Sequence, residues 1–128
     1  MRPRDSLVRL KAFQVNEKRR QRDQLASMIE EFVRMAGDLD AQIASEEKRA
    51  GITDPNHFAY PMPAKAARTR RDNLAASQKE LKVQLDAANI ALDEAEDELG
   101  KAEAKERRDG RAPEPVVAEA PRTSAMIG

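Results

Sequence analysis

The sequence predicts an all-α fold: a long antiparallel two-helix coiled coil with a proline-rich connector. Three features of its 128 residues support this, namely their composition, two long stretches without proline, and apolar residues at alternating spacings of three and four. Aromatic residues make up only 3% of the chain, and 22 alanines supply much of its 40% hydrophobic content. A compact core of this size normally needs more bulky side chains, so an ordinary globular enzyme is not expected.

Proline positions separate the predicted elements. The seven prolines lie near the start, between residues 55 and 63, and after residue 112. Because a proline inside a helix costs about 3 kcal/mol, the stretches between these groups can form unbroken helices. The first helix is predicted over residues 5–50, with Asp5 as its N-cap and Gly51 just beyond its end.

The second helix is predicted over residues 64–108, ending before Asp109 and Gly110. Between the helices, the connector 51–63 contains three prolines and two of the four aromatic residues. The two helices and the connector form one predicted hairpin domain, residues 1–108. Residues 109–128 carry three prolines and no periodicity, which predicts a disordered tail.

Heptad spacing of apolar residues is clearest in the second helix. We count positions from Ala64 to Ala102 at alternating intervals of three and four residues. From Leu81 onward, every one of these positions holds an apolar residue. Such a pattern is typical of coiled coils, and its alanines allow a partner helix to approach closely. In the first helix the same steps pass through Leu25, Met28, Phe32, Met35 and Leu39, with Ile43 one residue out of phase.

Charge is arranged in alternating blocks, although the net charge of the whole chain is zero. Residues 1–22 carry +6 and residues 23–50 carry −4, while residues 64–84 carry +4 and residues 85–109 carry −5. If the chain folds back at its connector, each basic block lies beside an acidic one, which favours an antiparallel hairpin. The alternative is that the blocks are merely solvated faces of an all-helical chain.

One stretch of the first helix does not match the second. Residues 16–24 contain no apolar side chain, yet a hairpin folded near residue 57 places part of this stretch opposite Leu92 and Leu99. Either lysine and arginine stems cover the stripe of the second helix, or this end of the hairpin is a docking surface for another protein. The docking hypothesis also includes Leu7, Leu10 and Phe13.

The sequence offers little catalytic chemistry. It has no cysteine and a single histidine, His57, so one chain can form neither a multi-histidine metal site nor a Cys-His dyad. Acidic runs such as residues 96–98 are interpreted as solvated helix faces, because consecutive helical positions point in different directions. We therefore predict no catalytic, cofactor-binding or metal-binding residues, and the protein is not expected to be an enzyme.

Composition also bears on nucleic acids and membranes. Basic clusters at residues 18–22 and 68–71 could contact phosphates, but the neighbouring blocks are acidic and stacking aromatics are scarce, so nucleic-acid binding is not favoured. No apolar run approaches the length that spans a bilayer, and the first residues lack the apolar core of a signal peptide. A soluble, cytoplasmic protein is expected, peripheral at most at the inner face of the membrane.

Particular segments resemble a known family. The first helix contains DSLVRLKAFQVNEKRRQRDQLASMIEEF, and the connector region reads EEKRAGITDPNHFAYPMPAKAARTRRDNLAAS before the alanine- and leucine-rich helix. From residue 1 to about residue 105, the chain resembles the flagellar export protein FliJ family as it occurs in alphaproteobacteria. The most distinctive elements are DP, HFAYP and AKAARTRRDNL.

This resemblance implies a non-enzymatic stalk or adaptor of the flagellar type III export apparatus. Its implied partners are the export ATPase, an export gate protein and export chaperones. The hypothesis assigns one contact surface to the open end of the hairpin and a second to the connector. The alternative is a generic helical scaffold or chaperone that binds other helical proteins. The candidate contact residues are Leu7, Leu10, Phe13, Leu92 and Leu99 at the open end, and Phe58, Tyr60, Arg70 and Arg71 at the connector.

Overall fold

The computed structural model describes the backbone of residues 3–111 and the side chains of residues 6–110. It consists of two α-helices packed against each other, α1 (Pro3–Ala50) and α2 (Met62–Arg111), and the described residues contain no strand. The predicted all-α class is therefore confirmed. Of the predicted disordered tail, residues 109–111 continue α2, and residues 112–128 lie outside the described residues.

The end of α1 follows from its terminal residues. The described part of the helix already includes Pro3, two residues before the predicted start. It ends at Ala50, and Gly51 follows with a φ of 70°. The amides of Gly51 and Ile52 both donate to the carbonyl of Glu47, at 2.8 and 3.3 Å. Glycine is favoured there because side chains disfavour this left-handed conformation.

Helix α2 begins close to the predicted position and continues to Arg111, the last residue that the structure describes. Its first turn includes Pro63, and the Lys65 amide donates to the Pro61 carbonyl at 3.1 Å. The helix continues through Asp109 and Gly110, which were predicted to terminate it. One glycine costs only about 1 kcal/mol in a helix, and the basic residues of the last turns interact favourably with the helix dipole.

The described residues form two compact units. The terminal unit comprises residues 3–19 and 90–111, and the connector unit comprises residues 20–89. Ion pairs between the helices show that the α1 and α2 segments run in opposite directions in both units. Within each unit, the ion pair whose α1 residue lies later in the chain has the α2 residue that lies earlier. These ion pairs are Lys11–Glu98 and Arg19–Glu96 in the terminal unit, and Asp40–Arg71 and Glu47–Arg68 in the connector unit.

All four ion pairs join opposite charges from the predicted blocks. In the terminal unit the basic start of α1 meets the acidic end of α2, and in the connector unit the acidic end of α1 meets the basic start of α2. The nitrogen–oxygen distances range from 3.1 Å for Arg71–Asp40 to 4.0 Å for Arg68–Glu47. Each exposed pair contributes well under 1 kcal/mol, so their main effect is on orientation.

The shielded face of α2 matches the predicted heptad pattern. Every predicted position from Ala64 to Ala102 is buried or half-buried. Within the connector unit, Ala64 and Ala67 are completely buried and Leu81 is 7% exposed. Within the terminal unit, Leu92 and Ala102 are buried. The small alanines leave room for α1 to lie close.

The shielded face of α1 has a different phase from the predicted one. In the connector unit Met28 and Met35 are exposed, whereas their neighbours Ile29 and Ala36 are half-buried. Ile43, predicted to lie out of phase, is buried. The prediction for the two methionines was therefore wrong. The observed shielded positions step by three and four through Leu25, Ile29, Phe32, Ala36, Leu39 and Ile43.

Candidate functional site

An apolar row lies on the exposed side of α1 in the terminal unit. Leu7, Leu10 and Phe13 follow one another at intervals of three residues, and we call them the N-terminal row. Their exposure rises along the row from 38% to 61%. Residues three apart are neighbours on a helix surface, so the three side chains form one continuous stripe. The row is accessible to a partner, as the docking hypothesis requires.

Leu92 and Leu99, the other predicted contacts in this unit, lie on the shielded face of α2. Leu92 is only 4% exposed and Leu99 is half-buried. Lys18 of the same unit is half-buried on the shielded face of α1, three residues after the buried Val15. This placement favours the alternative in which basic stems cover the apolar stripe, because a buried Leu92 is not available to a partner.

The connector is held by a series of local hydrogen bonds. The Asp54 carboxylate accepts from the Asn56 amide at 3.0 Å, and the Asp54 carbonyl accepts from the His57 amide at 3.0 Å. The Tyr60 amide then donates to the His57 carbonyl, also at 3.0 Å. These bonds form two successive turns in place of the single helical turn that the Asp54-Pro55 pair suggests.

His57 and Phe58 lie together on the outside of the connector. Their rings stack with centroids 4.7 Å apart, and the Nδ1 atom of His57 accepts from the Ala59 amide at 3.0 Å. Phe58 is nevertheless 97% exposed, the largest exposure of any bulky apolar side chain described. His57 is therefore held within the loop by its contacts with Phe58 and Ala59.

Tyr60, in contrast, is buried and anchors the connector to α1. Its hydroxyl donates to a carboxylate oxygen of Glu47 at 2.6 Å, and Arg68 lies 4.0 Å from the same oxygen. Burial raises the pKa of Tyr60 above its ordinary 10.0, and the hydrogen bond to Glu47 and its negative charge raise it further, while Arg68 opposes them. Tyr60 is therefore hardly accessible to a partner, and it fixes the loop that carries Phe58.

Arg70 and Arg71, also predicted contacts, have different surroundings. Arg71 is half-buried and binds Asp40 at 3.1 Å and Asp72 at 3.4 Å, and the hydrogen bond to Asp40 is the main reason that its pKa is raised. It is therefore occupied in holding α2 to α1. Arg70 is exposed and lies at an apolar groove of about 420 Å³ that also includes Met35, Asp38, Leu39, Asn73, Leu74 and Ser77.

A cleft beside the connector contains Met62 and Lys65, which sequence reasoning did not single out, beside residues of the predicted basic cluster 68–71. Its volume is about 420 Å³, and its walls include the exposed Met62 together with Lys65, Arg68 and Thr69. Thr69 Oγ1 donates to the Lys65 carbonyl at 3.3 Å. The spacing 62, 65, 69 at the start of a helix was the available signal, because such residues share one face. We define the connector surface as Phe58, Met62, Lys65 and Arg68.

The described residues were also compared with the patterns of a metal site and of a membrane-spanning helix. Among the described side chains, residues 6–110, no three histidine, aspartate or glutamate side chains gather as they would around a metal ion. Neither described helix contains a segment apolar enough to cross a bilayer. Among the described residues, the N-terminal row and the connector surface both expose bulky apolar side chains.

No protein-family model, no curated protein and no solved structure matches this chain.

Proposed function

We propose that this protein is a non-enzymatic coiled-coil component of the bacterial flagellar type III export apparatus. In this role it acts in the cytoplasm, peripheral to the membrane at most, as a stalk or adaptor between the export ATPase, an export gate protein and export chaperones. The proposal combines the resemblance of the connector segment to the FliJ family with the long paired helices. The observation that carries it is the heptad-spaced shielded face of both helices.

The coiled coil is supported by the spacing of shielded residues in each unit. In the connector unit the shielded positions of α1 and α2 both alternate by three and four residues, which is the spacing of a heptad seam. In the terminal unit α2 continues this spacing through Leu92, Ala95, Leu99 and Ala102. We therefore propose an antiparallel coiled coil, which is the architecture expected of a stalk.

The export ATPase is assigned to the N-terminal row. Leu7, Leu10 and Phe13 are exposed, and their stripe suits insertion against an apolar surface of another protein. The gate protein and chaperones are assigned to the connector, where Phe58 is the most exposed bulky side chain.

The direct test uses a purified flagellar export ATPase from an alphaproteobacterium. Adding the full-length protein is expected to stimulate ATP hydrolysis, and Phe13→Asp is expected to reduce that stimulation at least about tenfold, as for a central interface residue. Val83→Asp is the matched control, because Val83 is equally exposed but lies in the connector unit. Absence of stimulation, together with normal export of hook and filament subunits in a deletion strain, would refute the proposal.

The second candidate is a generic helical scaffold or chaperone. It is favoured by the apolar groove that contains Met35, Leu39 and Leu74, because methionine-containing grooves accept the apolar face of a partner helix. Binding of amphipathic helices at this groove, lost in Leu74→Asp, without any stimulation of the export ATPase would favour this candidate.

A further inference from the structure

The connector surface combines two exposed apolar side chains with two basic ones. Phe58 is 97% exposed and Met62 is 72% exposed, and both lie at the cleft together with Lys65 and Arg68. An exposed phenylalanine contributes nothing to the packing of the helices. Aromatic and methionine side chains of this kind are enriched at the centres of protein interfaces.

The backbone that presents Phe58 is already ordered. The turn hydrogen bonds at His57 and Tyr60, the ring stacking with His57, and the bond from buried Tyr60 to Glu47 hold this part of the connector in one conformation. A partner therefore does not have to order the loop when it binds. Such preorganisation lowers the entropic cost of association.

The positive charge of Lys65 and Arg68 on the connector surface favours a partner that carries carboxylates. Among the described residues, no acidic side chain lies within ion-pair distance of Lys65, and the first turn of α2 contains no acidic residue. Asp72, the acidic residue in the wall of the cleft, is paired with Arg71. The ammonium group of Lys65 is thus available to a carboxylate, and Arg68, which also interacts with Tyr60, contacts Glu47 at the long distance of 4.0 Å.

We infer that the connector surface binds an acidic segment of a different protein that carries a large apolar side chain. The apolar side chain packs on Phe58 and Met62, while flanking carboxylates pair with Lys65 and Arg68. The inference rests on the proposed function only in treating the connector as a contact surface for another protein. It holds for a partner outside an export apparatus as well.

The test is selection of a random 12-residue peptide library displayed on phage against the full-length protein. The selected peptides are expected to contain one aromatic or leucine residue flanked by aspartate and glutamate. Synthetic copies are expected to bind Phe58→Ala and Lys65→Glu at least about tenfold more weakly, and to bind more weakly as salt is raised. Lys65→Arg is expected to retain binding because it keeps the charge.

Matched variants separate binding from folding. Val83→Ala shortens an exposed apolar side chain elsewhere on α2, and Lys79→Glu reverses an exposed charge there. Neither variant is expected to change the affinity for the peptides. Circular dichroism is expected to be the same for all variants. The inference is overturned if no peptide is enriched, if the selected peptides are neutral or basic, or if Phe58→Ala leaves their binding unchanged.

Analytical ultracentrifugation of the protein without peptide tests whether a second copy of this chain, and not a different protein, binds the connector surface. A monomer is expected; a dimer that dissociates in Phe58→Ala would show that the surface joins two copies of this chain, and would overturn the inference. Neither measurement involves an export ATPase. The ATPase and deletion tests can therefore refute the proposed function without changing the outcome of the peptide selection.

Discussion

In the terminal unit the shielded face of α1 includes two lysines, Lys11 and Lys18, whereas in the connector unit it is mainly aliphatic and aromatic. The opposing positions of α2 are apolar in the terminal unit and include two fully buried alanines in the connector unit. Lysine stems can occupy heptad positions because their ammonium groups still reach water. One spacing of shielded residues is therefore compatible with two kinds of packing: lysines together with apolar positions of α2 in the terminal unit, and mainly aliphatic and aromatic residues together with buried alanines in the connector unit.

The largest expected effect is that of Leu92→Ala, which removes the most buried leucine of the terminal unit. The free energy of unfolding is expected to fall by about 2–4 kcal/mol, because the lost contacts leave a cavity. Urea denaturation followed by circular dichroism measures the change. Ile90→Ala is the control, since Ile90 is 60% exposed, and it is expected to change stability by no more than about 0.5 kcal/mol. Unchanged stability with loss of partner binding would instead support Leu92 as a docking residue.

A smaller effect is expected for Ala67→Leu in the connector unit. Ala67 is completely buried, so the larger side chain has to displace α1, at a cost of about 1–3 kcal/mol. The thermal midpoint of unfolding is the measurement. Ala66→Leu adds the same group at an exposed neighbouring position and is expected to be nearly neutral. If the two variants were equally stable, the close approach of the helices at Ala67 would be contradicted.

The next expected effect concerns alkaline pH and also belongs to the connector unit. Because the fold raises the pKa of Tyr60, its contribution to stability is complete below the unfolded value of 10.0 and is lost as the pH rises through the higher folded value. Tyr60 is the only tyrosine, so tyrosinate absorbance reports it directly. The folded protein is expected to titrate at higher pH than the protein in urea. Coinciding titrations would show that Tyr60 is not held by Glu47.

The smallest effect is expected for the Arg19–Glu96 ion pair of the terminal unit. The two side chains are 3.2 Å apart and about half exposed, so their coupling is expected to be below about 1 kcal/mol and to decrease in salt. A double-mutant cycle with Arg19→Ala and Glu96→Ala measures it. Arg34 and Glu31, which pair within α1, provide a control cycle. A coupling that did not respond to salt would contradict an ionic origin.

Sequence reasoning succeeded where one residue type has one dominant effect. The prolines and Gly51 predicted the interruption between the helices, and the alternating charge blocks predicted which ends of α1 and α2 pair. It failed on the phase of α1, because Met28 and Ile29 are adjacent apolar residues and either can continue a heptad. Methionine tolerates exposure on a helix surface, and spacing alone does not distinguish it from its neighbour.

The same distinction applies to the candidate sites. Phe58 was identifiable as an aromatic residue in a proline-rich loop, and the N-terminal row was identifiable by its spacing. The cleft beside the connector was not, because Met62, Lys65 and Arg68 come together with Phe58 only when the loop folds back along the first turns of α2. Nor did the sequence reveal that Arg71 forms an ion pair with Asp40, a residue 31 positions earlier in the chain.

By itself, the sequence of this protein determined two long helices, the break between them and their mutual charge complementarity. These properties depend on backbone chemistry and on regular spacing, which are local. Only the tertiary structure decided which of two adjacent apolar residues faces the partner helix, that Leu92 is covered, and that Tyr60 is buried while Phe58 is exposed. These outcomes depend on contacts between residues distant in the chain, and no local pattern specifies them.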